Sequence, residues 1–574
     1  MAIDYAVNFP KNCGNVIDMP NEQSKKLRQT NRRCLLKIIE NVQSLCRQGQ
    51  VIQGDTDTES NFYQLMKLRG RNDPALLELL KKRGGDKYTS HDIQNEIIEI
   101  MAHKVQRDLI KDIGTGFFSI IADEYTDIGN KEQLTLCFRW VDEQLDGHED
   151  FLGFYNIPNI ASETIVQAIK DSLIRLQLSL SQCRGQCYDG ASNMLGKKSG
   201  VAKQIQECEA KALPTHCHGH SLSLGVKDAT NNCQILSNTM NNTNEIVKLV
   251  KYSPKRENLL GELKENLQYE DEEEEDAAAA GLTKFSATRW TVRAICFERV
   301  IDNYNVILKL WDECLKTKLP PDIRGRIIGC STQMESFDFY FGLHLGVTIF
   351  RHTDNLSATL QKANMSSISG QHNTKLTTEV LKGIRNEECF KSFFQTILKK
   401  KEALKDISEP RVPRKRKAPA RYEVGEGEPW YPETSEDLYR KIYYEALDLI
   451  VSAINECFDQ PSFKAYAKLE ALLLKSLKSE DISYEMAFVK EVYHQDIKVE
   501  FLIPQLEIFK VLMKEKKLEY FAEVLDAVKN LDHNTQQMIS EVLTICKLLL
   551  VNPATSATGE RSYIFNRTTN KNMA

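Results

Sequence analysis

Two aspartates stand where short apolar runs end: Asp123 in Phe117-Phe-Ser-Ile-Ile-Ala-Asp-Glu-Tyr-Thr-Asp127, and Asp189 in Cys187-Tyr-Asp-Gly-Ala-Ser-Asn-Met194. Carboxylates at the ends of buried strands can hold a divalent metal against phosphate. Paired metals of this kind clamp the attacking and leaving oxygens of an in-line displacement. Taken alone, an aspartate after a strand is more often a solvated turn acid. The run Phe117 to Ala122 is too short and too continuous for an amphipathic helix, and Phe and Ile favour the pleated alternative. Asp123 is therefore expected to cap a buried central strand.

The elements that must position these acids follow in order. Leu134, Leu136, Phe138 and Trp140 alternate with Thr135, Cys137 and Arg139, a period of two that predicts a second strand. Asp146-Gly147 offers a tight turn, and the apolar run Phe151 to Ile157 predicts a third. Ile165, Ile169, Leu173 and Leu176 recur at helical spacing, which returns the chain to the strand that ends at Asp189. Three antiparallel strands, a helix and a strand are expected, with a carboxylate on the first and the fourth.

That order resembles the ribonuclease H-like fold, and the flanking residues resemble the hAT superfamily of DNA transposases. Asp123-Glu-Tyr-Thr126 looks like that family's Asp-x-(aromatic)-Thr, and Cys187 to Met194 looks like its second-aspartate segment. Cys217-His-Gly-His220 is similar to its Cys-x-x-His segment, with Ser223 where the family usually has Asn. Arg289-Trp290 matches its Arg-Trp pair, and Glu560-Arg-Ser-Tyr-Ile-Phe565 resembles the segment of the third acid. Within the superfamily, Asn61 to Leu68 and Arg351 to Gln361 look like the group related to zinc finger MYM-type protein 1.

The resemblance implies a mixed α/β fold in which a large all-helical insertion interrupts a ribonuclease H-like core behind a helical N-terminal lead-in. Asp123, Asp189 and Glu560 would then be catalytic and would bind Mg²⁺ or Mn²⁺. Arg289 and Trp290 would bind DNA, Trp290 by stacking on a flipped or unpaired base; core packing is the other use of a Trp on a helix. Cys217 and His220 would support the core beside the acids. The cluster His216-Cys217-His218-Gly219-His220 lacks a second ligand pair about a dozen residues away, so no structural zinc is expected.

The chain of 574 residues has a net charge of −5, 41% hydrophobic and 27% charged residues, values of an ordinary globular protein. So small a charge argues against coating nucleic acid by bulk attraction and puts any DNA contact on local basic surfaces. Fifteen scattered cysteines and a start without a basic leader or apolar core suggest reduced thiols in a cytosolic or nuclear protein. No apolar stretch approaches a membrane span.

Six regions are expected. Residues 1–112 form the helical lead-in, 113–235 the first part of the core, 236–402 the helical insertion and 403–433 a Pro-rich, charged linker. Residues 434–549 form further helices, and 550–574 complete the core and begin the hAT dimerisation segment. Glu270 to Asp276 reads as a solvated acidic loop. Thr434-Ser-Glu-Asp437 is a capping-box pattern, opening a helix with Leu447, Ile450 and Ile454 on its apolar side. Arg411-Val-Pro-Arg-Lys-Arg-Lys417 is either a nuclear import or phosphate-contact signal or a solvated linker. Ile539, Val542, Ile545, Leu548 and Leu549, with Leu543 and Leu550 beside them, make a helix so apolar that it must pack in the core or against a partner. The resemblance points to a homodimer or higher oligomer through this region. It also implies a shortened dimerisation tail and a missing DNA-end-binding zinc finger.

Two readings of function stay open: a nuclear, metal-dependent transposase that cleaves and rejoins DNA, and a transposase-derived, non-catalytic protein that binds DNA or protein as a dimer.

Overall fold

Aromatic and β-branched side chains pack best on a pleated surface, and the apolar runs around Asp123 and Asp189 build one mixed sheet. The computed structural model describes residues 22–54, 56–81, 88–127, 129–270, 281–283, 292–362, 365–404, 406–412, 431–514, 516 and 518–562. The strands are β1 (Phe118–Thr126), β2 (Glu132–Val141), β3 (Gly147–Asn156), β4 (Cys183–Tyr188) and β5 (Leu213–His216), in the spatial order β3-β2-β1-β4-β5. β1 pairs antiparallel with β2 and β2 with β3, whereas β4 lies parallel to β1 and β5 parallel to β4. Between β3 and β4 runs the helix Ser162–Arg175, burying Ile165, Ile169 and Leu173 at the predicted spacing.

Three local expectations are corrected. Asp123 does not cap its strand. β1 continues to Thr126 because β2 is long enough to pair with it, and Asp123 faces Thr135 in that ladder. The parallel pairing with β4 stops at Ile121 and Cys187, so Asp123 stands where one neighbouring strand has ended and the other continues. Secondly, the alternation in β2 does not divide a wet face from a dry one. Thr135, Cys137 and Arg139 are as buried as Leu134, Leu136 and Phe138, because the helix Ser540–Leu550 packs over β2. The third correction is β5, which was not anticipated: four residues that include Pro214 give no periodic signal.

Beyond β5 the described residues are helical as far as the sheet-covering helix Ser540–Leu550. Helix Ser435–Phe458 opens with the expected capping box. The Asp437 N–H donates to Thr434 Oγ1 at 3.1 Å and the Thr434 N–H to Asp437 Oδ2 at 3.2 Å. Leu447, Ile450 and Ile454 are buried along it. The apolar C-terminal stripe is also core: Ile539, Val542, Ile545, Leu548 and Leu549 are buried in the main hydrophobic cluster, against helices Pro461–Lys478 and Val499–Leu512 of the same chain. This stripe is therefore not an open face awaiting a partner.

Two compact units divide the chain. One comprises Met1–Gly114, Asp127–Gly129 and Arg561–Ala574, and the other Thr115–Thr126 and Asn130–Glu560. The first is built from helices Glu22–Arg47, Asn61–Gly70, Pro74–Lys81 and His91–Ile113 around Ile38, Val42, Phe62, Met66 and Leu76. Within it Asp73 accepts from Lys37 at 2.6 Å and Arg33 at 3.1 Å, and the Lys37 bond leads in holding its carboxyl below the usual range. No described helix is long and apolar enough to cross a membrane.

Candidate functional site

Asp123 comes to the site from β1 and Asp189 from the residue that follows β4. Glu560 arrives from the far end of the sequence, on the helical turn 557–562. That turn lies directly on β1: a Cβ placed on Gly559 would stand 3.4 Å from the Asp123 Cβ and 3.6 Å from a Thr135 methyl. The Asp123 carboxyl is held well above the usual carboxylate range, first by burial, then by the nearby negative charges of Glu560, Asp189 and Cys217. Both of the other predicted acids thus act on Asp123. Asp189 is oriented by an Asx turn in which its Oδ1 accepts from the Ala191 N–H at 3.1 Å.

A buried strap, residues 551–557, delivers Glu560. Each step along it is tied to a different part of the unit. The Ser367 N–H donates to the Asn552 carbonyl at 3.1 Å, and the Tyr466 hydroxyl donates to Asn552 Oδ1. Gly185 of β4 lets that side chain approach, since a Cβ there would meet Asn552 Oδ1 at 2.1 Å. The His218 N–H donates to the Ala554 carbonyl at 2.9 Å, and the Ser556 N–H to Cys217 Sγ at 3.3 Å.

Cys217 caps the helix His218–Asn232 and is buried beside Ile121, Cys137 and Cys187. A hydrogen bond with the Cys187 thiol, helped by Ser556, draws its own thiol below the ordinary value against the effect of burial. Burial, then Cys217, pushes Cys187 well up. Cys217 therefore touches the segment that carries Glu560, while His220 lies one helical turn on, its ring 5.8 Å from that of His216. The three histidines do not converge. His216 lies against Gly190, where a Cβ would be 2.7 Å from its Nε2; burial and then His220 push it down to about 4, with Asp189 opposing. His218 is driven between Phe458 and Phe463, each ring centroid 4.9 Å away, and is pushed down to about 3, chiefly by burial.

Glu124 and Gln460 belong to the neighbourhood but were not anticipated. Glu124 accepts from Asn193 Nδ2 at 2.6 Å, and its carboxyl is raised first by burial and also by Asp189. Its signal was in plain view, since Glu124 and Asn193 both lie inside the quoted motifs. Gln460 brackets His216 from a distant helix, accepting from its N–H at 2.9 Å and donating to its carbonyl at 3.4 Å, and carries no local signal. Arg289 and Trp290 lie outside the described residues, as do residues 413–430 with most of the basic run and residues 271–280 of the acidic run. Just after the Arg-Trp pair, Arg293 Nη2 donates to Ser223 Oγ at 2.9 Å, which gives the unexpected serine a partner.

The donor set decides which metal would suit. Carboxylate oxygens are hard ligands that fit Mg²⁺ or Mn²⁺ better than thiolate-seeking metals. The crowding that raises Asp123 is also what a cation among Asp123, Asp189 and Glu560 would relieve. Among the described residues no three His, Cys, Asp or Glu side chains are already drawn together as a metal-ready group.

Comparison with known proteins gives an RNase-like match over the N-terminal part of the chain. The family described as ZMYM1/FAM200, RNase-like domain, matches residues 2–200. The human protein named 52 kDa repressor of the inhibitor of the protein kinase is 29% identical over 175 residues, covering 29% of this chain and 22% of that protein. Its mouse counterpart is 25% identical over 253 residues, covering 43% and 32%. The matched part of the chain thus spans between a fifth and a third of the length of these curated relatives. Over its first two hundred residues the chain is similar to the ZMYM1/FAM200 RNase-like domains, and the likeness supports a hAT-related origin.

Proposed function

We propose that this chain is a hAT-transposase-like protein whose ribonuclease H-like core, interrupted by the helical region, performs metal-dependent DNA strand cleavage and transfer. The observation that carries the reading is the seating of the Glu560-bearing turn on β1 beside Asp123, with Asp189 at the end of the adjacent strand β4. The charges of both acids help to hold the Asp123 carboxyl up. In this role Asp123, Asp189 and Glu560 hold Mg²⁺ or Mn²⁺, which when bound activates the attacking water or 3′-hydroxyl and neutralises the leaving oxygen. Cys217 anchors the strap through Ser556 and His220 packs near it. Arg289 and Trp290 grip the DNA, with Trp290 stacking on an unpaired base. The protein works in the nucleus, as a homodimer or higher oligomer.

Asp189→Asn tests the chemistry. The amide is nearly isosteric but lacks the charge that holds the metal, so Mg²⁺-dependent nicking of DNA should fall to background while the fold and DNA binding persist. Equal nicking by variant and parent removes the reading.

A second reading, a transposase-derived nuclear protein that binds DNA or protein without cutting, is favoured by a specific observation. Asp123 is half-buried, and a carboxyl held well above the usual range, chiefly by desolvation, is a poor metal ligand until the proton leaves. The relatives' printed name, a repressor, suits this alternative. DNA binding by the parent without any divalent-dependent nicking would select it.

A further inference from the structure

Both ends of the strap that carries Glu560 are tied to one buried ion pair. Arg139 of β2 meets Glu149 of β3, its partner across the ladder, with Nη1 to Oε1 at 2.7 Å and side chains only 0% and 2% exposed. Each member of the pair also holds one end of the strap. Arg139 Nε donates to the Leu550 carbonyl at 2.9 Å, where the sheet-covering helix ends, and Glu149 Oε2 accepts from the Thr558 hydroxyl. A buried pair adds little net stability compared with apolar residues of the same volume, and its best-attested use is to fix register. Here the register in question is that of the turn 557–562.

Thr558 and Glu560 are two residues apart on that turn, hence about 200° apart around its axis. A hydrogen bond at Thr558 therefore holds the turn on the side away from Glu560, with Gly559 between them seated on β1. We propose that Thr558 is a positioning residue: bonded to Glu149, its hydroxyl sets the rotation of the turn and so directs the Glu560 carboxylate toward Asp123 and Asp189. The inference rests on the metal-binding reading of those acids and goes beyond it, because it assigns the alignment of the third acid to a side chain that touches no metal.

The test is a calorimetric Mn²⁺ titration of the full chain as parent, Thr558→Val, Thr558→Ser and Asp189→Asn, with each metal-free melting temperature recorded. Valine keeps the shape of threonine and leaves the Arg139–Glu149 pair intact, so the metal-free Tm should fall only by the few degrees that losing one hydrogen bond to a buried carboxylate costs. Mn²⁺ affinity should drop roughly 10-fold, the lower end of what losing an outer-shell partner costs, and Thr558→Ser should restore it. If Thr558→Val does not fold, Thr558→Ala serves in its place with the same expectation. Parental Mn²⁺ affinity in the Val or Ala variant, or failure of Ser to restore a loss, overturns the positioning role and leaves the metal reading standing. A parent that binds no Mn²⁺, or binds it as well after Asp189→Asn, overturns both.

Discussion

Around the sheet the buried interior carries charged and amide side chains among its apolar ones, whereas the helical region's interior holds an aromatic cluster. Near the sheet, Gln186 is buried and donates to the Ala212 carbonyl at 2.7 Å while accepting from the Tyr188 hydroxyl at 2.8 Å. Arg184, Lys211 and Asp496 form a second buried charged group, with Asp496 Oδ1 at 2.5 Å from Arg184 and 3.2 Å from Lys211. In the helices, Phe337, Phe341, Phe394 and Tyr439 stack with ring centroids 4.7 to 6.4 Å apart. Hydrogen bonds are directional and specify where an atom sits, whereas apolar burial is non-directional and supplies cohesion. The acids thus lie where the chain uses direction, and the bulk of the cohesion is elsewhere.

The strongest way to break that contrast is at Arg139. Arg139→Leu should destabilise the fold by about 3–5 kcal/mol, because it leaves Glu149 buried without its cation. Arg139→Leu with Glu149→Leu should recover much of that loss in chemical denaturation. A double variant no better than the single would show that the pair contributes cohesion after all.

His218 sharpens the contrast, being a polar ring placed inside an aromatic cage. Its folded pKa of about 3 lies below the ordinary 6.5, so the unfolded chain takes up the proton first. The contribution of the neutral ring is complete above pH 6.5 and is lost as pH falls from there toward 3. Between pH 7.5 and pH 5 the parent should lose about 2 kcal/mol that His218→Phe keeps, measured as the difference between the two pH profiles. Parallel profiles would refute the assignment. The smallest effect belongs to the helical core: Ile450→Val should cost about 0.5–1.5 kcal/mol and leave Mn²⁺ affinity and DNA binding where they were. An altered affinity would mean that cohesion and direction are coupled across the two regions.

Legibility in the sequence follows the same division. The strands before Asp189, the helix Ser162–Arg175 and the capping box at Thr434 are local patterns, and local patterns can be read from spacing. Arg139 was read as one of the polar partners in an alternating strand. It is buried because a helix some four hundred residues later covers that face, which no window on β2 contains. The place of Glu560 came from family likeness, not periodicity, and what brings it to Asp123 is a strap held by single hydrogen bonds to scattered residues. The apolar stripe from Ile539 to Leu549 was legible as buried, but its own-chain partners were not.

The ties from Arg139 and Glu149 to Leu550 and Thr558 also set the order in which the protein can mature on the ribosome. Residues 118–216 leave the exit tunnel early, yet the guanidinium on β2 finds its acceptor on Leu550 only after the helix Ser540–Leu550 has been made. At roughly 5–20 residues per second, the nascent sheet waits on the order of tens of seconds with one face uncovered. During that interval the bare strands are a client for a chaperone and a hazard for neighbouring chains on the same messenger. Release from that state should coincide with emergence of the strap, so that the sheet and the acid cluster become complete together.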